Sequence, residues 1–354
     1  MVVFGTSGMG KTYAFQCVLS EFARASQNSL IIDYTEGFVD SRIEPSAKTF
    51  MRPTQHYIRK QPLPINPFKR QVSIEEGIEF PDSPNTIAKR VGAIFKSVYA
   101  LGDQQFSVLI DAIADGVKQN GDAFTLDGLT KVLESYLDDE VHNRARVQGT
   151  ISKLRPFIDE HPFVSGTADD DWRNMFTDPE RRCHIFQFLS VDRHTSRALI
   201  EFVLWDLYAY VRRFGNKNTP RVVVLDEVQN LDLGGDAPVA KYLTEGRKFG
   251  LSLITATQSI RGIGGSNDPR ISRLFQAEQK LFFKPTENEM REHAQLLHNA
   301  ITDVSVQEWT TRLASLRIGE CWSLGRNLNE TTGKLVLQAQ RVKIASLEDR
   351  GFHA

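Results

Sequence analysis

The sequence predicts an α/β fold with a central, mostly parallel sheet and an inserted helical bundle. Three observations carry that prediction. Short apolar runs recur at 29–34, 183–189, 221–227, 251–258 and 280–284. Several are continuous rather than alternating, the pattern of strands covered on both faces. Helical patterns separate most of these runs, the chain order of strand–helix–strand units. From 86 to about 159 the strand pattern stops and four helical segments follow one another.

Size and composition fit this class. A length of 354 residues allows about two domains, or one large α/β domain, at roughly 150 residues each. Aromatic residues at 10% and charged residues at 25% exclude wholesale disorder. With 43 Lys and Arg against 44 Asp and Glu, the net charge of −1 excludes a globally basic nucleic-acid coat. A local basic channel stays open. Cys17, Cys183 and Cys321 are far apart, and no Cys/His cluster accompanies them. Neither a disulfide framework nor a zinc site is expected, and a reducing, cytoplasmic compartment fits best. No apolar run approaches the ~18 residues of a membrane span, and the start MVVFGTSG has no signal-peptide layout.

Taken in order, Val2, Val3 and Phe4 read as the stub of a strand, so Met1 reads as a cut point in a longer protein. A glycine-rich loop follows, then a helix over 12–25 and a strand over 29–34. Residues 38–85 carry seven prolines and little periodicity, and read as loop. The helices of 86–159 come next, then a polar loop at 165–172 (SGTADDDW) and a strand at 183–189. The helix at 196–214 is apolar around most of its circumference and should be buried. A strand at 221–227 ends in two acids. A helix over 236–249 is capped by Asp236 and stopped by Gly250. Strands at 251–258 and 280–284, two helices, and the late strands GECWSLG and KLVLQAQRV complete the chain. The expected organisation is a nucleotide-binding core over 1–85 and 181–345, with a helical insertion at 86–180.

The chemistry is concentrated in a few motifs. Gly5, Thr6, Ser7, Gly8, Met9, Gly10, Lys11 and Thr12 spell GTSGMGKT, a complete G-x-x-x-x-G-K-[S/T] loop. Backbone N–H groups of such a loop wrap phosphates, and the following helix offers its positive end to the same anion. Lys11 would reach the outer phosphates and the Thr12 hydroxyl would ligate Mg²⁺ of a bound ATP. The plain alternative is a glycine turn without ligand. VVVLDE puts Asp226 and Glu227 at the carboxyl edge of a strand, where open α/β sheets bind ligands. Asp226 would serve the Mg²⁺ shell, and Glu227 would act as general base on the attacking water. Two acids merely ending a strand are the alternative. Gln258 ends the next strand and can face the γ-phosphate or the water; a polar strand terminus is the alternative. Arg247, eleven residues earlier, suits the charge of the transition state. It also suits a helix-end cation.

The set GTSGMGKT, IIDYTEG, INPF, VVVLDEVQN, EGRKFGLSLITATQS and GECWSLG resembles the HerA/FtsK superfamily of P-loop motors, and its HerA branch most. Together with 86–180, the run DEVQNLDLGGDAPVAKYLTEGRKFG resembles the C-terminal ATPase region of the large subunit of phosphorothioation-dependent DNA restriction systems (DptH/DndH). The resemblance implies a RecA-like P-loop NTPase fold, ATP and Mg²⁺ as cofactors, and a homohexamer acting on double-stranded DNA. It carries over Lys11, Thr12, Asp226, Glu227 and Gln258 as the site in one subunit and Arg247 as an arginine finger completing a neighbour's. Asp33 matches an acid that recurs in the family; a solvated strand end is the alternative. The sequence departs from the HerA-type pattern ahead of the loop, where those motors carry a small β-barrel that this sequence does not contain.

Between 41 and 71, Arg42, Lys48, Arg52, Arg59, Lys60, Lys69 and Arg70 face one acid, Glu44, with Phe50, Tyr57 and Phe68 interleaved. Such a stretch can track a phosphate backbone; a solvated loop or subunit interface serves equally. The Gly-rich segment 259–270, with Arg261 and Arg270, reads as a mobile pore loop or an ordinary turn. No base-reading motif and no nuclease-like histidine grouping is present, so DNA contact should be non-specific and any nuclease or other restriction subunit a separate chain. Three functions fit: an ATP-driven translocase or helicase-type motor for DNA restriction; a nucleotide-gated DNA-binding assembly or sensor subunit; and, more weakly, a conjugation or packaging motor.

Overall fold

A computed structural model describes residues 1–76, 78–164, 168–235, 237–328 and 333–353. In chain order the elements are β1 (Val2–Phe4), α1 (Lys11–Arg24), β2 (Ser29–Asp33), α2 (Pro45–Met51), β3 (Pro53–Tyr57), β4 (Val72–Glu75) and β5 (Ile78–Pro81). The helices α3 (Pro84–Tyr99), α4 (Asp103–Asn120), α5 (Leu126–Ser135), α6 (Arg144–Ile158) and α7 (Ala168–Thr177) follow. Then come β6 (Cys183–Gln187), α8 (Arg193–Phe214), β7 (Arg221–Leu225), α9 (Pro238–Glu245), β8 (Leu251–Thr257), α10 (Pro269–Leu274) and β9 (Lys280–Phe283). The chain closes with α11 (Met290–Ala300), α12 (Val306–Ala314), β10 (Glu320–Leu328) and β11 (Leu335–Lys343).

The sheet has nine strands in the order β11–β10–β9–β1–β8–β7–β2–β6–β3. From β9 through β6 the neighbouring strands pair in parallel. β10 runs antiparallel to both β9 and β11. β1, β2 and β6 are buried along their whole length, which explains their largely apolar character. β8 lies between β1 and β7, in register Val3↔Ala256 and Val224↔Ile254. The strand that feeds the glycine loop and the strand that feeds the two acids are thus one strand apart, with the end of β8 between them.

The chain forms two compact units, one of residues 1–56, 174–187 and 216–354, the other of 57–173 and 188–215. The first is the α/β unit. Its core includes Val3, Phe15, Ile31, Phe38, Ile185, Val224, Ile254 and Phe283. The second is helical: α3, α4, α5 and α6 pack on one another, and α8 packs on α3. Phe95 meets Phe157 and Phe202 edge-on at 5.2 and 5.4 Å. As expected, α8 buries most of its circumference. This unit takes in 57–85 and α8 besides the helices expected at 86–159.

Some expectations need correction. Residues 38–85 are not loop throughout: they hold α2, β3 and the β4–β5 hairpin. The prolines misled because several sit where proline suits an element boundary. Pro45 and Pro84 open helices, and Pro53 is the first residue of a strand. The 165–172 stretch is not a loop throughout, since α7 begins at Ala168. Trp172 is buried and its Nε1 donates to Asp206 Oδ2 at 2.7 Å, which anchors a helix that its acidic start disguises. Residues 165–167 lie outside the described part. So does Asp236, the expected cap of α9; the described N-cap is Ala237. Among the described residues, no helix is long and apolar enough to cross a membrane.

Candidate active site

The site grows from the ends of β1, β7 and β8. After Phe4 the chain enters a loop in which Gly5, Gly8 and Gly10 have φ of 139°, 78° and 99°. Those values favour glycine. The loop is tied at both ends. Gly5 N donates to Thr257 O at 3.3 Å and Thr6 N to Lys284 O at 3.2 Å, at the ends of β8 and β9. Gly319 N donates to Met9 O at 3.1 Å. A Cβ on Gly8 would meet nothing within 4 Å, so the crown of the loop is open. α1 starts at once, with Gly10 as N-cap and no side chain capping it. Its first N–H groups, unpartnered within the helix, are therefore available to an anion.

Lys11 lies back along the loop. Its Nζ donates to Gly5 O at 2.7 Å and Thr6 O at 3.0 Å. Burial lowers its pKa, against the opposing pull of the Asp226 and Glu227 charges.

Asp226 and Glu227 follow directly on β7 and are 6% and 8% exposed. Burial and then the neighbouring Glu227 charge push Asp226 up to about 6, with Lys11 opposing. Asp226 Oδ2 accepts from Thr35 Oγ1 at 3.3 Å, and Oδ1 from Glu227 N at 2.9 Å. A Cβ built on Gly37 would lie 3.6 Å from both Asp226 Oδ2 and Thr12 Cγ2. The Thr12 methyl and an Asp226 oxygen therefore both lie beside Gly37.

Glu227 has φ of 53°, a left-handed conformation unusual for a residue with a side chain. Its Oε1 accepts from Gln258 Nε2 and its Oε2 from Gln229 Nε2. Its carbonyl accepts from the Tyr34 hydroxyl, which in turn accepts from Asn230 Nδ2 at 3.4 Å. Gln258, first residue after β8, thus reaches the acid pair as its position between the two motif strands requires.

Asp33 is not a solvated strand end: it is fully buried. It accepts from Thr35 N (3.1 Å), Thr35 Oγ1 (3.3 Å), Gly37 N (3.1 Å), Phe38 N (2.7 Å) and Gln187 Nε2 (3.0 Å). The carboxylate shapes the turn after β2 and so presents Thr35 and Gly37 to Asp226.

Arg247 lies apart from this cluster in sequence and setting. It sits in a single 3-10 turn, Gly246–Phe249, that follows α9. Its side chain is exposed. The segment after Gln258 is a strapped turn rather than a free loop. Glu289 accepts from Ser259 Oγ at 2.6 Å and from Ile260 N at 3.0 Å, and Glu292 accepts from Ser266 N at 3.0 Å. Arg270 pairs with Asp268 at 2.8 Å.

The basic stretch 41–71 divides between the two units. Arg42, Lys48 and Arg52 already pair with Glu36, Asp40 and Glu180. Two of its three interleaved aromatics are not offered to a ligand: Phe68 is fully buried against Phe124, and Phe50 packs edge-on against Phe352.

Sequence reasoning missed Gln229, Tyr34, Thr35, Gln187 and Glu289. Gln229 carried a signal, as a polar residue inside a single turn of the acid pair in VVVLDEVQN. Tyr34 and Thr35 stood in IIDYTEG at the carboxyl end of a strand. Gln187 and Glu289 carried none, because only the sheet order and the turn after β8 bring them in.

No family model and no curated protein matches the sequence. Solved structures match the fold. VirB4 of Thermoanaerobacter pseudethanolicus aligns with a TM-score of 0.71 at 18% identity, over 98% of this chain and 89% of that one. The plasmid coupling protein TrwB in complex with ADP and Mg²⁺ aligns at 0.61 and 13% identity, over 97% and 84%. TrwB in complex with the ATP analogue ADPNP aligns at 0.58 and 13%, with the same coverage. The chain has the fold of these proteins, a RecA-like P-loop NTPase fold with a mostly parallel central sheet.

Proposed function

We propose that the chain is an ATP-hydrolysing motor that moves double-stranded DNA. The observation that carries this reading is the convergence of Lys11, Asp226, Glu227 and Gln258 at the ends of β1, β7 and β8, around a loop whose crown is open. The loop N–H groups and the start of α1 hold the phosphates. Lys11 leaves its two carbonyl partners to meet them. Thr12 and Asp226 would hold Mg²⁺. The donor set fits: Mg²⁺ keeps several waters and needs one or two carboxylates with substrate phosphates, not a full protein cage. A cation also relieves the buried Asp226 carboxylate that now sits beside Glu227. When bound, the ion draws off charge developing on the phosphate oxygens. Glu227 accepts the proton of the attacking water, Gln258 orients that water or the γ-phosphate, and Arg247 enters a neighbouring subunit's site in a homohexameric ring.

The fold shared with VirB4 and a plasmid coupling protein supports the motor class. The resemblance of 86–180 and 226–250 to phosphorothioation-dependent restriction subunits supports a cytoplasmic role in defence against foreign DNA, with the nuclease on a separate chain. One observation favours a second reading, a nucleotide-gated DNA-binding subunit without sustained translocation: both oxygens of Glu227 are engaged by amides.

Phosphate release with and without double-stranded DNA separates the two. The motor reading expects DNA-stimulated turnover that falls by orders of magnitude in Glu227→Gln while ATP binding persists. Tight ATP binding without turnover, whatever DNA is added, would favour the gated subunit.

A further inference from the structure

Glu227 is gripped from two elements. Gln258 comes from the end of β8 and takes Oε1. Gln229 lies two residues beyond the acid, in the single turn Val228–Asn230, and folds its amide back onto Oε2. A general base must turn an oxygen to a water within hydrogen-bond reach. Here each oxygen already accepts an N–H, and the residue is 8% exposed. The backbone is fixed as well, by the left-handed φ and by the Tyr34 hydroxyl on the Glu227 carbonyl.

The far end of the Gln229 amide is unpaired. Its Oε1 is shut away from solvent with no hydrogen-bond donor. An amide matched at one end only is held by the carboxylate and has a partner to gain elsewhere. The turn that carries it leads into 231–235, where Arg273 Nη1 grips Leu233 O at 2.5 Å. Gln229 thus sits on a short turn, whereas Gln258 leads into the turn held by Glu289.

We propose that Gln229 is a positioning residue that latches Glu227 away from water in the resting chain. The latch opens when the Gln229 amide leaves Oε2, and DNA binding is the event proposed to release it. Gln258 keeps its hold on Oε1, so opening leaves Oε2 free to take the water proton. The inference rests on the reading of Glu227 as general base and adds the control of that base.

The test compares wild type, Gln229→Ala, Gln229→Met, Glu227→Gln and the Gln229→Ala/Glu227→Gln double variant. Each is assayed for ATP binding and for phosphate release, with and without double-stranded DNA. Gln229→Met keeps the length of the side chain without its N–H donors, and serves should the alanine variant fold poorly. The latch predicts that DNA-free turnover rises about tenfold in both single Gln229 variants, equivalent to about 1.4 kcal/mol of barrier. The DNA-stimulated rate changes less, so the stimulation ratio drops toward one. The double variant stays as inactive as Glu227→Gln. A purely structural Gln229 would lower both rates together and leave their ratio alone. DNA-free turnover that is unchanged or reduced in a Gln229 variant with wild-type ATP binding overturns the latch and leaves the base assignment standing. Wild-type turnover in Glu227→Gln overturns the base assignment itself, and the latch with it.

Discussion

In the α/β unit, most residues with chemical assignments sit at or just beyond the ends of strands; in the helical unit, a cluster of aromatic rings fills the core. Lys11, Asp226 and Gln258 are each placed by a backbone that can go only one way: a loop of positive φ, a parallel register, a strand between two others. Phe95, Phe157 and Phe202 are placed by mutual fit, and other large apolar residues would fill the same space. The contrast explains why one unit shows its chemistry in short motifs and the other shows only a period. It also predicts that damage to the two units will look different.

The largest effect should come from the α/β residue that joins no cluster. Arg247→Ala should lower turnover on the order of 10³-fold while ATP affinity holds, as expected of an arginine finger. Mixing it with Lys11→Ala subunits should restore part of the activity, since some interfaces then join an intact Lys11 site to an intact Arg247. Full activity of Arg247→Ala alone would reduce it to a surface cation at the end of a helix.

Next in size is damage to the aromatic core. Phe157 is fully buried, and Phe157→Ala should cost about 3–5 kcal/mol. Hydrogen exchange should report that loss across 57–173, with the ATP dissociation constant changed by no more than about twofold. A parallel loss of ATP affinity would mean that the site depends on the helical unit, and the contrast between the two would fail.

The smallest effect concerns Asp226. Its carboxyl is raised to about 6 by burial and by Glu227. The folded chain therefore keeps a proton that the unfolded chain releases near pH 4. This group favours the folded state fully below about pH 4, and the benefit is lost as pH rises through 6. Asp226→Asn removes the charge, so it should stabilise the nucleotide-free protein at pH 7.5 by on the order of 1–3 kcal/mol. The gain should vanish near pH 4, while Mg²⁺-dependent ATP binding weakens at pH 7.5. Thermal unfolding across that range reads the sign, and a lower melting temperature at pH 7.5 would show that the buried charge is not the controlling feature.

The parts of this molecule that could be read from sequence are those in which residue type answers to backbone geometry. GTSGMGKT and VVVLDE announced both the strands and the residues that end them, and the parallel sheet followed. Proline was misread in 38–85 because the same fixed φ that breaks a helix also opens one, as Pro45 and Pro84 do. Asp33 was legible only as an acid at the end of a strand, with a solvated end as the alternative, and only the turn of 35–38 shows it folded inward. Gln187 and Glu289 were out of reach for a different reason. Each acts on residues distant in sequence, and no local pattern records which strand becomes a neighbour.

Gly5 carries a consequence for the history of the chain. A Cβ there would stand 2.7 Å from Phe283 Cβ and 3.1 Å from that residue's carbonyl carbon and oxygen. The carbonyl atoms belong to every amino acid, and Cβ to all but glycine. A glycine at 283 would lift only the closest of these contacts, and the φ of 139° would still disfavour a side chain, so the position has no simple compensating partner through which drift could pass. Among descendants of this sequence, a side chain at position 5 should appear only where β9 has itself moved away from β1, an event visible as a change of sheet rather than of spelling.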